Sequence, residues 1–469
     1  MILSRPRSPE NETEKMSLLK WLFWLYFLLL IFEGALRKWV LPQLSGPLLV
    51  VRDPVSMLII WEAYRTHKWP KEWTAATAFL AVGLLGLCSI QFMTGNTSWF
   101  IVLYGLRSYL LPFPVAFIMG ENLTASDLRK FAVCTLWLLL PLTALEVAQY
   151  YAPAGSFLNK GAYRGTEQLA YALGHVRASS TFSYVTGPTN FLPLAAAFIF
   201  YGLTSETFAR RWLLWAAMVA LIIAIPVTGS RSLVFLLAGV VASVVIASMG
   251  GGIKFGRSVQ AILAIAVVVL LISQFPAFNE ATNTLADRFS NATQAEGGST
   301  GQSLFLRSVQ PTIRTLEISF ATNNWIGTGV GYGASAVSTL LTGGQYSLAG
   351  EEEVPRVINE FGAPCGIAFM LFRLALGIMI TFKATSYMRI AQPLAWFLLP
   401  LTFNALWFCT LEQPTFQGFL VISVGFSLAA LNTAVIVLPP SPEIFVNPRI
   451  QSLRKAALAR AQDEDSRTA

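Results

Sequence analysis

The sequence predicts an all-α polytopic membrane protein of about twelve transmembrane helices, with both termini cytoplasmic and one large loop on the opposite side between helices 9 and 10. Two observations carry this. Hydrophobic residues make up 54% of the chain and charged residues only 12%, about half the charge of a soluble domain. The apolar residues also gather into runs of about twenty, the length that a spanning helix requires. The placement of the basic residues then sets the orientation.

The runs lie at 17–36, 46–64, 74–94, 99–119, 129–151, 183–203, 212–228, 232–249, 258–277, 359–382, 392–411 and 415–437. The second is the weakest, because it contains Arg52 and Asp53. With residues 1–16 inside, the two tails (1–16 and 438–469), the inside connectors and the run ends beside them (Lys20, Arg129, Lys130) hold twenty basic residues, and the outside connectors hold ten. That asymmetry satisfies the positive-inside rule. It also removes nucleic acid as a partner, since the net charge of +8 is spent on topology. The membrane domain therefore comprises 17–277 and 359–437, separated by a polar outside segment at 278–358.

The cysteines (Cys88, Cys134, Cys365, Cys409) sit singly in apolar runs and read as small buried hydrophobes. With only His67 and His175 available, a histidine-rich metal site is unlikely, and neither metal nor cofactor is expected. The first apolar run follows a polar start without a cleavage pattern and is expected to remain as an anchor.

Eight of the ten outside basic residues fall in three places: the 152–182 loop, the 229–231 turn and the 278–358 segment. Basic residues outside oppose insertion, so an anionic substrate is the simplest reason for them. Arg231 lies in a turn of very few residues between two runs and offers a rigid cation at the membrane surface; a lipid-facing interfacial arginine is the plain alternative. Arg307 and Arg314 are seven apart and share a face if helical. Their stretch has apolar residues at helical intervals, as an element lying along the membrane surface would. The run GTGVGYG has glycines at 327, 329, 331 and 333 but no following lysine. It suits close backbone approach better than a nucleotide site. Glu353 and Glu360 flank Arg356 at three and four residues, so a helix would put all three on one face, with a carboxylate available as general base. Charges within or near the runs (Glu33, Arg37, Arg52, Asp53, Arg107, Glu146, Arg373, Glu412) need partners at membrane depth. An Arg52–Asp53 ion pair is expected, and Arg107 could line a groove for a lipid phosphate.

These features resemble the O-antigen polymerase and O-antigen ligase superfamily of bacterial envelope glycosyltransferases. TGSRS at 228–232 is similar to its arginine turn. Arg307 followed by GTGVGYG is similar to its large periplasmic loop, and VINEFGAPCG at 357–366 to the end of that loop. FEGALRKWVLP resembles the N-termini of exopolysaccharide polymerase-like members. The resemblance implies a bacterial inner-membrane, metal-independent glycosyltransferase that polymerises repeat units carried on undecaprenyl pyrophosphate into a surface polysaccharide. Its partners would be a lipid-linked oligosaccharide donor, a saccharide acceptor, membrane lipids and polysaccharide export machinery. Arg231, Arg307 and Arg314 would bind the pyrophosphate, while Glu353, Arg356 and Glu360 would serve catalysis. Ligase-type members place a histidine near the loop's end, where this chain has EEEVPR. That difference favours polymerase over glycan transfer to a lipid or protein. A lipid-linked saccharide flippase is the alternative from another class.

Overall fold

The computed structural model describes residues 17–95, 97–162, 168, 175–204, 208–251, 253, 255–295, 309–334, 337, 352–388 and 393–437. Arg307 and both predicted tails lie outside the described residues. The described chain is helical throughout, without a strand. We number its helices α1 (Leu18–Ala35), α2 (Arg52–Arg65), α3 (Thr74–Met93), α4 (Trp99–Leu110), α5 (Pro112–Asn122), α6 (Ala125–Tyr151), α7 (Thr186–Thr204) and α8 (Arg211–Thr228). There follow α9 (Arg231–Met249), α10 (Phe255–Ile272), α11 (Pro276–Ala295), α12 (Gln310–Ala321), α13 (Glu353–Phe361), α14 (Ala363–Met388), α15 (Leu394–Phe403) and α16 (Pro414–Val437).

Each predicted run is occupied by helix. Among the described residues eight helices are long and apolar enough to cross a membrane. A ninth results if Ile265–Ile272 and Pro276–Asn291, bent by 105°, form one span. The other three runs hold α2, α7 and α15. The 14 residues of α2 rise only about 21 Å, short of the roughly 30 Å hydrocarbon core. α7 has spanning length but carries Thr186, Thr189, Asn190 and two prolines. α15 stops after ten residues and continues as a π turn, Asn404–Phe408.

The bundle is built around α16, which packs on α5, α15, α7 and α6. Phe113, Phe117, Phe198 and Phe426 are fully buried there. Local chemistry sets the boundaries: Thr124 and Asp127 form a reciprocal capping box that starts α6, and Pro112 opens α5. Pro141, Pro193 and Pro226 sit inside helices, as neighbouring segments in a bundle allow.

Connectors predicted to share a side are brought together. At one end Lys38 Nζ donates to Ser179 Oγ (2.6 Å), Gln91 Nε2 donates to the Ile326 carbonyl (2.6 Å), and His175 pairs with Glu280 (3.1 Å). At the other, Lys20 pairs with Asp127 (3.0 Å), Asn122 donates to the Lys68 carbonyl (3.0 Å), and Gly250 lies against Met388.

The segment read as one long loop, 278–358, contains much of α11, all of α12 and most of α13. The tenth run starts inside α13, and a break at Gly362 separates that helix from α14.

Candidate functional site: an arginine turn beside a buried carboxylate knot

Two constellations occupy the end of the bundle that holds the described parts of the 278–358 segment. The first is the turn between α8 and α9. Gly229 ends α8 at φ +58, a left-handed conformation open to glycine. Ser230 then caps α9: its Oγ accepts from the Leu233 amide (3.4 Å) and from Thr189 Oγ1 (3.0 Å). Arg231 is the first residue of α9 and is half-buried. Arg288, also half-buried on α11, donates to the Gly229 carbonyl. Arg231 and the Arg288 guanidinium thus stand at the N-terminus of a nineteen-residue helix, where the helix dipole already favours an anion.

The second constellation surrounds α13. Glu353, Arg356 and Glu360 do share one face, and that face is buried. Their partners come from other elements. Glu353 pairs with Arg373 of α14, which is fully buried and also donates to the carbonyls of Ala405 (3.2 Å) and Cys409 (3.1 Å) in and just after the π turn. A π turn frees carbonyls from the regular ladder, which makes them available to that guanidinium. Arg356 pairs with Glu412 at 3.5 Å.

Glu360 fastens the glycine run. Its carboxylate accepts from the amides of Gly331 and Gly333, both at 2.9 Å, and from Tyr109 Oη at 3.1 Å. Gln91 of α3 accepts from the Val330 amide (2.9 Å) and donates to the Glu360 carbonyl (2.8 Å). Gly331 has φ +96, and a Cβ there would stand 2.6 Å from the Gly105 nitrogen and the Ile101 carbonyl of α4. The alternating glycines therefore serve close backbone approach to a helix.

Burial pushes the Glu360 carboxyl up to about 7, against the opposing pull of the Gly331 amide and Arg356. Burial, with the neighbouring Glu360 charge adding to it, holds Glu412 well above the usual carboxylate range. Two carboxyls next to one guanidinium in a dry site favour retention of one proton.

Glu353 and Glu360 are each about 1% exposed, so an acceptor hydroxyl does not reach either one in this arrangement. Arg314 is exposed on α12. The expected Arg52–Asp53 pair is replaced by a cross-helix exchange: Arg52 pairs with Glu33 (3.1 Å) and Asp53 with Arg107. Residues on successive helical positions point about 100° apart, so each turned to a different neighbour. Arg107 also stacks over the Tyr104 ring (4.9 Å) and holds Gln417 through its carbonyl (3.0 Å).

Sequence reasoning left Arg288, Tyr109 and Gln91 out of the site. Arg288 had a signal as one of the outside arginines, and Gln91 as a lone amide within an apolar run. Tyr109 had none. Among the described residues no group of three His, Cys, Asp or Glu side chains could hold a metal ion. No family model matches the chain, and no curated protein matches it in sequence.

Proposed function

We propose that this chain polymerises lipid-linked oligosaccharide repeat units, carried on undecaprenyl pyrophosphate, at the outer face of a bacterial cytoplasmic membrane. The finer topology belongs to the same proposal: twelve spans, both termini cytoplasmic, and the 278–358 segment outside. The observation that carries the reading is the arginine turn, with Arg231 and Arg288 beside the α9 N-terminus on the end where the predicted outside connectors meet.

In this reading the donor's pyrophosphate lies against that turn. The acceptor hydroxyl oxygen forms a bond to the anomeric carbon while the bond from that carbon to the phosphate oxygen breaks. The electron pair leaves on the pyrophosphate, whose growing charge Arg231 and Arg288 stabilise by charge-assisted hydrogen bonds. The hydroxyl proton passes to a base or to water. Arg307 and Arg314, from the segment that precedes the glycine run, would add to the anion site. Burial makes Glu353, Arg356 and Glu360 positioning residues here: they hold the glycine run and α13 in place.

The test is reconstitution of the purified chain in liposomes with labelled lipid-linked repeat units. The reading predicts a ladder of longer saccharides. Movement of label across the bilayer without bond formation would instead support a flippase, and single transfer onto a lipid acceptor a ligase.

A further inference from the structure

α12 packs threonines and a serine while one apolar flank stays exposed. The helix rests on α13 and α14. The side turned inward carries Thr312, Thr315, Leu316 and Ser319, of which Ser319 is 2% exposed and the others are half-buried. One exposed flank, next to that packed side, carries Val309, Ile313 and Phe320, which fall within about 40° of one another at 100° per residue, while Ile318, also exposed, lies across the helix from them. Ile313 is 48% and Phe320 51% exposed. The polar residues Gln310, Arg314 and Glu317 are exposed along one flank of that stripe. In water a helix of this composition would turn its isoleucine and phenylalanine inward and its threonines outward. Here the threonines are packed and the Val309–Ile313–Phe320 flank is exposed, which indicates an apolar medium beside that flank.

The surroundings identify that medium. Ile326, five residues beyond α12, is held by Gln91 near the end of α3. There Phe92 and Met93, and Trp99 at the start of α4, are also exposed, Met93 at 86%. Trp325, in edge contact with Phe320 (5.7 Å between ring centroids), is exposed too. The α12 stripe is thus continuous with the ends of two helices long and apolar enough to cross a membrane, and tryptophans mark the junction, as they do at bilayer interfaces.

We propose that α12 is a membrane-docking helix whose Val309–Ile313–Phe320 stripe is seated at the headgroup–acyl boundary of the bilayer. Gln310, Arg314 and Glu317 then face the headgroup layer and water, with Arg314 at the level of lipid phosphates. The bilayer is the occupant, rather than a second copy or another segment of the chain, because the stripe continues the apolar surface of α3 and α4.

Single cysteines replacing Ile313, Phe320, Arg314 and Glu317, in a background with Cys134→Ser and Cys365→Ser, would carry nitroxide labels in lipid nanodiscs. All four positions are exposed, so labelling leaves the packed face intact. The expected result is several-fold greater collision with oxygen than with a water-soluble nickel chelate at 313 and 320, and the reverse at 314 and 317. Equal nickel access at all four sites would overturn the proposal. Spin–spin broadening at 313 and 320, the mark of a second copy on the stripe, would overturn it as well. The unmodified chain offers an independent check: photoreactive lipids should crosslink within 309–321, and no adduct there would also overturn it. Neither readout depends on saccharide chemistry, so the outcome is separate from that of the polymerase reading.

Discussion

The arginine turn and the α13 knot lie at the same end of the bundle, yet they are built in opposite ways. The turn is basic, half-buried and formed by a glycine C-cap and a serine N-cap, with the Arg288 guanidinium of α11 brought onto its backbone carbonyl. The knot is acid-rich and buried, and its charges pair between elements: Glu353 with Arg373 of the next helix, Arg356 with Glu412 further along the chain. A site that must admit an anion needs cations near the surface. A joint that must keep a loop in register needs its charges satisfied internally, because a buried charge that loses its partner is costly. On the proposed reading, substrate contact falls to the turn and positioning to the knot.

The sharpest way to break this division is Arg373→Ala. It would leave Glu353 without its cation in a site closed to water, at a cost of about 3–5 kcal/mol. Loss of folded protein is expected, read as yield and thermal unfolding in detergent. Recovery of stability by Arg373→Ala combined with Glu353→Gln would confirm that the pair, rather than packing, carries the effect.

Next comes Gly331→Ala. Its positive φ and the 2.6 Å approach to α4 predict a loss of about 2 kcal/mol, in the range of strained core substitutions. Release of the glycine run should appear as faster amide exchange at 327–334.

A pH series sharpens the comparison further. Glu360 has its carboxyl raised to about 7 from 4.5 in the folded state. Its contribution is therefore fully present below about 4.5 and is lost as pH rises through about 7. Stability of the native chain should fall across that window, and Glu360→Gln should flatten the fall. An unchanged slope would remove the proton-sharing account of the Glu360–Glu412 neighbourhood. The smallest effect is expected for Arg314→Ala. This residue is exposed, and its removal should shift stability by no more than about 0.5 kcal/mol, measured by thermal unfolding.

The sequence revealed most of the scaffold, because a bilayer imposes a length and a polarity on each crossing helix. The apolar runs therefore anticipate helix positions, and their alternation anticipates which connectors meet. The second run, 46–64, misleads as a run of spanning length: its first part is a short 3₁₀ turn, Pro47–Val50, and its helix α2 is only 14 residues. Gly229, Ser230 and Arg231 of the arginine turn were legible because they are consecutive, whereas Arg288 reaches the turn from α11. The shared face of Glu353, Arg356 and Glu360 was legible from helical spacing. Which partner each charge takes was not. Arg52 and Asp53 are adjacent in sequence yet pair with Glu33 and Arg107, and Arg356 pairs with Glu412 across 56 positions of chain. Those choices depend on how helices pack, which local spacing does not encode.

The most direct test of the division is binding of undecaprenyl pyrophosphate to the chain in nanodiscs, comparing the native protein with Arg231→Ala and Glu360→Gln. Loss of one charge-assisted contact predicts binding at least about tenfold weaker for Arg231→Ala, about 1.4 kcal/mol. Glu360→Gln should bind like the native protein. Native-like affinity in Arg231→Ala, or weakened binding confined to Glu360→Gln, would contradict the assignment of the arginine turn as the anion site.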